Sequence, residues 1–160
     1  MSQPAGYSGT PLPRKLGIRQ GDELALIGAP DGFADRLLGE LQLEVQGQVQ
    51  GQVQGQVQGQ VDGAVVLHTD LADDARYDVI VTFVSWRAEL AAELGRLRAA
   101  MAPACGLWVA WPKRASRVPT DMTDQVIRDV ALPTGLVDNK VCAIDQTWSG
   151  LRLVIRRENR

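Results

Sequence analysis

Short apolar runs that alternate with amphipathic helical patterns constrain the fold of this chain most strongly. The continuous apolar run at Leu24–Ala29 is typical of a strand that is covered on both faces, and residues 33–41 then place apolar side chains at helical spacing. Further strand-like runs and helical patterns follow in alternation, at residues 63–69, 77–84, 85–101, 106–111 and 123–135. This alternation predicts an α/β fold with three layers and a mainly parallel sheet.

The end of the chain departs from this alternation. Residues 138–157 contain two strand-like runs, and Ser149-Gly150 between them is a plausible turn. We therefore expect a C-terminal antiparallel hairpin that closes the sheet. Residues 152–160 alternate charged and apolar side chains at their start, which is typical of a half-exposed edge strand.

Two helical patterns carry start signals. Ser85 is the expected N-cap of the helix at 85–101, and Leu90, Leu94, Leu97 and Met101 form a stripe along one side of that helix. Thr120 or Thr123 is expected to cap the helix at 123–135. The leucine stripe should pack into the core.

Residues 45–61 repeat the tetrapeptide Val-Gln-Gly-Gln and end at a further valine. A helix is disfavoured, because each interior glycine costs about 1 kcal/mol. A single strand of this length would span roughly 55 Å, well beyond the roughly 17–20 Å of an ordinary strand. We therefore interpret residues 1–160 as one domain, with the repeat at 45–61 as an insertion whose removal should preserve the fold.

Charge and residue usage exclude several classes of function. Lys and Arg number 17 against 19 Asp and Glu, so there is no global basic field that favours nucleic acid or membrane as a partner. The cysteines Cys105 and Cys142 lie in apolar surroundings and should pack as small hydrophobic side chains. Since His68 is the only histidine, no metal site is predicted. The absence of a signal-like or membrane-spanning apolar run predicts a cytoplasmic protein.

The candidate ligand site lies where the predicted parallel strands end, because loops and helix N-termini converge at that edge of a sheet. The residues predicted there are Gly28, Asp31, Gly32, Ser85, Trp86, Lys113, Arg114 and Trp148. Two cations beside two helix N-termini favour an anionic small molecule as the ligand. The alternative is that Lys113 and Arg114 are solvated loop charges. No catalytic residue is assigned.

The overall layout resembles the Rossmann-like fold of class I S-adenosylmethionine-dependent methyltransferases. The stretches that carry this resemblance are LGIRQGDELALIGA, residues 16–29, and LRAAMAPACGLWVAW, residues 97–111. Methyltransferases of this class carry an acidic residue at the end of the first strand and a Gly-x-Gly loop after it. This chain has Ile27 and then Gly28-Ala29-Pro30 at those places. The acid expected after the second strand, which would bind the ribose, has no assignment because the repeat occupies that region.

A second resemblance is to the uncharacterised bacterial family named domain of unknown function 3052. Four stretches carry it: YSGTPLPRKLGI, WVAWPKRAS, PTDMT and GLVDNKVCAIDQTWSGLRLVIRR. They are spread over the chain apart from the repeat. This resemblance implies the fold and not the chemistry.

These observations lead to one main hypothesis and two alternatives. The main hypothesis is a non-catalytic or small-ligand-binding Rossmann-like domain without an assigned cofactor. Because Ala29 adds a Cβ and Pro30 lacks an N–H in the loop after the first strand, S-adenosylmethionine is expected to bind weakly or not at all. The alternatives are a divergent S-adenosylmethionine-dependent methyltransferase and a protein-interaction module. The sequence decides neither catalysis nor oligomeric state.

Overall fold

The computed structural model describes residues 10–48 and 65–160. Helices and strands alternate along most of this part of the chain. In chain order they are α1 Leu12–Leu16, β1 Glu23–Ile27, α2 Phe33–Gln48, β2 Val66–His68, β3 Tyr77–Phe83, α3 Arg87–Ala99, β4 Met101–Pro112, α4 Asp124–Ala131, β5 Leu136–Ala143 and β6 Trp148–Ile155.

The strands form one six-stranded sheet in the order β2-β1-β3-β4-β6-β5. Strand β1 pairs in parallel with β2 and β3, and β3 pairs in parallel with β4. Strand β6 runs antiparallel to both of its neighbours, β4 and β5. This mixed, mostly parallel sheet with a C-terminal antiparallel pair confirms the predicted Rossmann-like fold.

Helices cover both faces of the sheet. On one face, Leu90, Leu94 and Leu97 of α3 are buried in a core that also takes in α4 residues. On the other face, α1 and α2 bury apolar side chains such as Leu16 and Leu37. The predicted stripe is therefore confirmed for the three leucines, whereas Met101, its fourth predicted member, begins β4. The structure has the three expected layers.

Capping residues determine where several of the helices begin or end. Gly17 ends α1 in the left-handed conformation, with φ 76°, and its N–H donates to the carbonyl of Arg14. At α4, Thr123 is the cap, because its Oγ1 accepts a hydrogen bond from the N–H of Val126 at 3.1 Å. Thr120, the other candidate cap, instead donates its hydroxyl to the carbonyl of Ser85 at 2.5 Å.

The start of α3 differs from the prediction. The N-cap residue is Trp86 and not Ser85. The carboxylate of Glu89 accepts hydrogen bonds from the backbone N–H groups of both Ser85 and Trp86, so a side chain from inside the helix satisfies the start that Ser85 was expected to cap.

The C-terminal hairpin is present, but its turn lies elsewhere. The side chain of Asp145 accepts hydrogen bonds from the N–H groups of Thr147 and Trp148, both at 2.8 Å, and so forms the turn. Gly150 lies within β6, where an added Cβ would be 2.8 Å from Ile144 Cδ1, so packing and not turn geometry requires the glycine. The prediction of an edge strand at residues 152–160 is also wrong, since β5 forms the edge and β6 is paired on both sides.

Helix α2 extends to Gln48 and so includes Val45–Gln48, the first four residues of the repeat. The sequence disfavoured a helix there. Continuing an existing helix needs no new nucleation, which lowers the cost of a glycine at its end. Residues 49–61 of the repeat lie outside the described residues, so its status as an insertion in a single domain stays a prediction. Within the two described ranges, no helix is long and apolar enough to cross a membrane.

Candidate functional site

The strand order of the sheet reverses at β1, which is where open α/β sheets form a crevice for a ligand. From β1 the chain passes to β2 on one side, and it later returns to β3 on the other side of β1. Helix α2 follows β1 and covers one face of the sheet, and α3 follows β3 and covers the other face. The loops therefore diverge at the carboxyl ends of β1 and β3, as at ligand sites in open α/β sheets. We call the space between Gly28–Gly32 and Val84–Trp86 the β1–β3 crevice.

The loop Gly28–Gly32 forms the first wall of the crevice. Gly28 has φ 68° and Gly32 has φ 83°, both in the left-handed region that favours glycine. A Cβ on Gly28 would lie 3.3 Å from the carbonyl oxygen of Phe83, so glycine also allows the loop to approach β3 closely. Ala29 packs against the core beneath α2. Asp31 and Gly32 are exposed just before the helix begins.

Three aromatic rings meet at the same end of the sheet. The Phe83 ring contacts Phe33 with centroids 4.9 Å apart and Trp148 with centroids 5.1 Å apart, both edge to face. The guanidinium of Arg36 lies over Phe33, 5.1 Å from the ring centroid. Trp148 reaches this cluster because β6 starts beside Pro112, at the carboxyl end of β4. Sequence reasoning proposed Trp148 but missed both phenylalanines, although Phe83 ends β3 and Phe33 begins α2.

At the second wall of the crevice, the start of α3, side-chain carboxylates already accept the backbone N–H groups. Glu89 accepts the N–H groups of Ser85 and Trp86 at 2.9 and 3.1 Å, and Asp121 accepts the N–H of Arg87 at 2.7 Å. These bonds satisfy the donors that an anionic ligand would otherwise use at a helix N-terminus. The Trp86 side chain stays 45% exposed.

Lys113 and Arg114 lie farther along the same edge, after β4. The Lys113 backbone N–H donates to the carbonyl of Thr147 at 2.8 Å, which ties this segment to the hairpin turn. Arg114 begins a short 3-10 turn that ends at Ser116 and is exposed. The cations therefore border the β4–β6 end of the sheet, whereas Gly28, Gly32, Ser85 and Trp86 border the β1–β3 crevice.

Asp70 is a further candidate that sequence reasoning did not assign. Strand β2 ends at His68, next to β1, and Asp70 follows two residues later in an exposed position. The hydroxyl of Tyr77 donates to the Asp70 carbonyl at 3.3 Å and accepts the N–H of Ala72 at 3.0 Å, which holds this loop in place. The available signal was an acidic residue directly after an apolar run.

The two cysteines are not paired with each other. Cys105 is fully buried beneath α3, and loss of solvation raises the pKa of its thiol to about 12, with a smaller contribution from the charge of Asp78. Burial also raises the pKa of the half-buried Cys142 thiol. Neither thiol is activated as a nucleophile, in agreement with the predicted packing role.

Comparisons of sequence give no family for this chain. No protein-family model matches it, and no curated protein matches it. The resemblance to domain of unknown function 3052 is therefore not confirmed.

Solved structures that are similar in fold include methyltransferases. A SAM-dependent methyltransferase from Aquifex aeolicus matches with a TM-score of 0.56 and 13% identity, over 89% of this chain and 87% of that one. A putative type 11 methyltransferase from Sulfolobus solfataricus gives 0.55 and 13%, over 90% and 89%. Fibrillarin from Aeropyrum pernix, in complex with natively bound S-adenosyl-L-methionine, gives 0.52 and 11%, over 93% and 70%. The chain thus has the Rossmann-like fold of SAM-dependent methyltransferases.

The expectation of an anionic small molecule is wrong. The fibrillarin of the same fold holds S-adenosylmethionine, which has a sulfonium cation beside a zwitterionic amino acid and is not an anion. The expectation relied in part on the helix N-terminus of α3, where the carboxylates of Glu89 and Asp121 already accept the backbone N–H groups.

Proposed function

We propose that this domain binds S-adenosylmethionine in the β1–β3 crevice and acts as a divergent S-adenosylmethionine-dependent methyltransferase. The observation that carries the proposal is the reversal of strand order at β1, next to the glycine-containing loop. Open α/β sheets bind ligands at such a point. The likeness in fold to methyltransferases over most of the chain supports it. The proposal treats the chain as one domain with an inserted repeat.

Each wall of the crevice has a proposed role. The loop with Gly28, Asp31 and Gly32 approaches the ligand with its backbone, since glycine has no Cβ to hold the ligand away. Asp70, after β2, accepts hydrogen bonds from the ribose hydroxyls. Ser85 and Trp86 form the opposite wall, and the exposed indole of Trp86 offers a flat surface for the adenine.

The loop Gly28–Gly32 predicts a modest affinity for S-adenosylmethionine. Pro30 offers no N–H, and a lost hydrogen bond to a charged group costs about 1.5–3 kcal/mol, roughly ten- to a hundredfold in the dissociation constant. The Cβ of Ala29 obstructs the ligand less than the sequence indicated, because the Ala29 side chain packs against the core. We therefore expect measurable binding that is weaker than a loop with a free N–H at this position would give.

The binding test is titration calorimetry of the purified chain with S-adenosylmethionine and S-adenosylhomocysteine. Asp70→Asn should weaken binding about five- to tenfold, the value of one hydrogen bond. Asp73→Asn is the matched control, since Asp73 is an exposed carboxylate in the same loop, and it should bind like the original chain. Absence of heat with both ligands at millimolar concentration would contradict the proposal, as would equal effects of the two substitutions.

Catalysis needs a separate measurement, because the non-catalytic hypothesis shares the same ligand. The chain is incubated with S-adenosylmethionine carrying a labelled methyl group and with protein and nucleic-acid acceptor mixtures. Label transfer that Asp70→Asn reduces and Asp73→Asn does not would support the methyltransferase. Binding without label transfer to any acceptor would favour the non-catalytic domain.

A further inference from the structure

The outer edge of β5 is a second feature of the surface, separate from the crevice. Strand β5 is the last strand in the sheet order and pairs with β6 alone among the strands that the structure describes. Its middle residues Asn139, Lys140 and Val141 are exposed. Val141 is 58% exposed, the highest value among the large hydrophobic side chains of the described ranges. An exposed strand edge offers unpaired backbone groups to another extended chain.

The register tells which backbone groups point outward. The Ile144 N–H donates to the carbonyl of Trp148 at 2.9 Å, and the neighbouring pairs Cys142↔Gly150 and Lys140↔Arg152 follow at intervals of two. Since backbone groups in an antiparallel ladder point alternately toward and away from the partner strand, the N–H and C=O of Val141 face away from β6. The carbonyl of Ala143 follows the same alternation, and it accepts the Lys15 ammonium at 3.0 Å.

A basic groove runs beside this edge, between α1 and β5. Its volume is about 520 Å³, and among the residues that the structure describes its lining includes Arg14, Lys15 and Lys140 but no Asp or Glu. The Lys140 ammonium donates to the carbonyl of Lys15 at 3.3 Å, which fixes this cation against α1. The groove therefore complements negative charge on whatever lies along the edge.

The two faces of β5 at this edge differ in chemistry. Cys142 packs with the core on the α1–α2 face, and Lys140 lies on that same face because side chains two apart in a strand share a face. Val141 lies on the opposite face, opposite Leu151 in the ladder, and Leu151 belongs to the α3–α4 core. A strand added beside β5 would thus place alternate side chains next to cations and next to Val141.

We propose that the β5 edge and the α1–β5 groove bind an extended segment of a partner protein in which acidic and apolar residues alternate. The segment adds to the sheet beside Val141 by backbone hydrogen bonds, a known mode of peptide recognition. Its acidic side chains face the exposed Arg14 and Lys140, and its apolar side chains cover Val141. This surface lies apart from the β1–β3 crevice, and its function does not depend on the cofactor proposed there.

The probe is a fluorescein-labelled peptide of sequence Gly-Glu-Val-Glu-Val-Glu-Gly, titrated with the full chain and followed by fluorescence anisotropy. A second peptide replaces both valines with proline, which keeps the charge but cannot form the ladder. A third replaces the glutamates with lysine. We expect binding of the first peptide and at least about tenfold weaker binding of the other two. Equal binding of the proline peptide would overturn strand addition.

Matched variants test the two halves of the surface. Lys140→Glu should weaken binding of the first peptide about tenfold or more. Arg157→Glu reverses an exposed cation outside the groove and should change the affinity for that peptide less than about twofold. Val141→Pro removes the outward N–H, whereas Val141→Thr keeps it. Binding should be lost in the proline variant and stay within about threefold in the threonine variant.

Several results would overturn the proposal. No binding of the first peptide up to millimolar concentration would do so, as would equal effects of Lys140→Glu and Arg157→Glu. Competition by a single-stranded oligonucleotide as strong as that by unlabelled peptide would assign the groove to phosphate instead. Light scattering that shows a dimer broken by Val141→Pro would assign the edge to a second copy of this chain. Thermal melts of all variants distinguish loss of binding from loss of the fold.

Discussion

The starts of α2 and α3 lie at the ends of neighbouring parallel strands, yet they are built differently. At α3, the N–H groups of Ser85, Trp86 and Arg87 are bonded to the carboxylates of Glu89 and Asp121. At α2, a loop with two glycines at positive φ, Gly28 and Gly32, leads into the helix, and Asp31 is exposed. The carboxylates of the chain itself occupy the N–H groups at the start of α3, whereas a loop with two glycines at positive φ leads from β1 into α2.

This difference shows that a helix N-terminus at the carboxyl edge is not by itself a ligand site. The position of a helix start follows from the fold, but its availability depends on which side chains already accept its N–H groups. We therefore expect changes at α3 to act on stability and changes around the Gly28–Gly32 loop and Asp70 to act on ligand binding. The following predictions test the structural part of this comparison.

The largest effect is expected at the buried stripe that anchors α3. Leu94 is 2% exposed, and Leu94→Ala should lower the free energy of unfolding by about 2–5 kcal/mol through lost burial and the cavity left behind. Leu132→Ala is the control, because Leu132 is 40% exposed, and it should cost less than about 0.5 kcal/mol. Chemical denaturation measures both. Similar values for the two variants would place α3 outside the core and break the comparison.

The next effect concerns pH, because α3 keeps water from Cys105. Burial raises the pKa of this thiol from 9.0 to about 12. Between these values the unfolded chain loses the proton while the folded chain keeps it, so the stability that the thiol provides is complete below pH 9 and is lost as pH rises toward 12.

Replacing the thiol isolates this contribution from other groups that titrate in the same range. The destabilisation caused by Cys105→Ala, measured by denaturation at pH 8 and at pH 10.5, should shrink by about 2 kcal/mol at the higher pH. An unchanged difference would mean that the native thiol ionises as readily as the unfolded one, and that α3 does not exclude water there.

A smaller loss is expected at the closed start of α3. Glu89→Ala removes the acceptor of two backbone N–H groups and should lower the free energy of unfolding by about 1–2 kcal/mol. Glu93→Ala, on the same helix, removes only an exposed ion pair with Arg96 and should cost less than about 0.5 kcal/mol. Equal costs, measured by thermal and chemical denaturation, would show that the carboxylate cap contributes nothing.

The smallest effect has the opposite sign and should be the same in both helices. Gly39 in α2 and Gly95 in α3 each have open space where a Cβ would be added. Alanine at either position should raise the free energy of unfolding by about 0.5–1 kcal/mol, because it lowers the backbone entropy of the unfolded chain. A decrease in the melting temperature of either variant would indicate that the glycine is needed for a contact or a conformation.

Most of the fold could be predicted because its signals are local. The apolar run of β1, the leucine stripe of α3 and Thr123 at the start of α4 each act within a few residues. The hairpin turn was misplaced because Gly150 has the composition of a turn but serves packing against Ile144. Asp145, whose carboxylate forms the turn, is a weaker sequence signal for a turn than Ser149-Gly150.

The sequence placed several candidate residues at one edge of the sheet but did not show their contacts. The sequence brought Gly28, Ser85 and Trp86 to one edge, because parallel strands end together. It did not show that Asp121 would bond to Arg87, a residue 34 positions away, or that Trp148 would contact Phe83. These contacts depend on how the loop after β4 and the start of β6 fold back, which no local pattern specifies.

The sequence by itself determined the alternating order of most of the described helices and strands, and it led to the prediction that a ligand binds where the parallel strands end. Periodicity and capping are local, and the right-handed connection of parallel strands then leaves few arrangements. Only the tertiary structure decided that β5 and not β6 forms the sheet edge, and that the start of α3 is closed. Both depend on pairing between distant segments, where the free energy comes from burial and hydrogen bonds that exist only after the chain has folded.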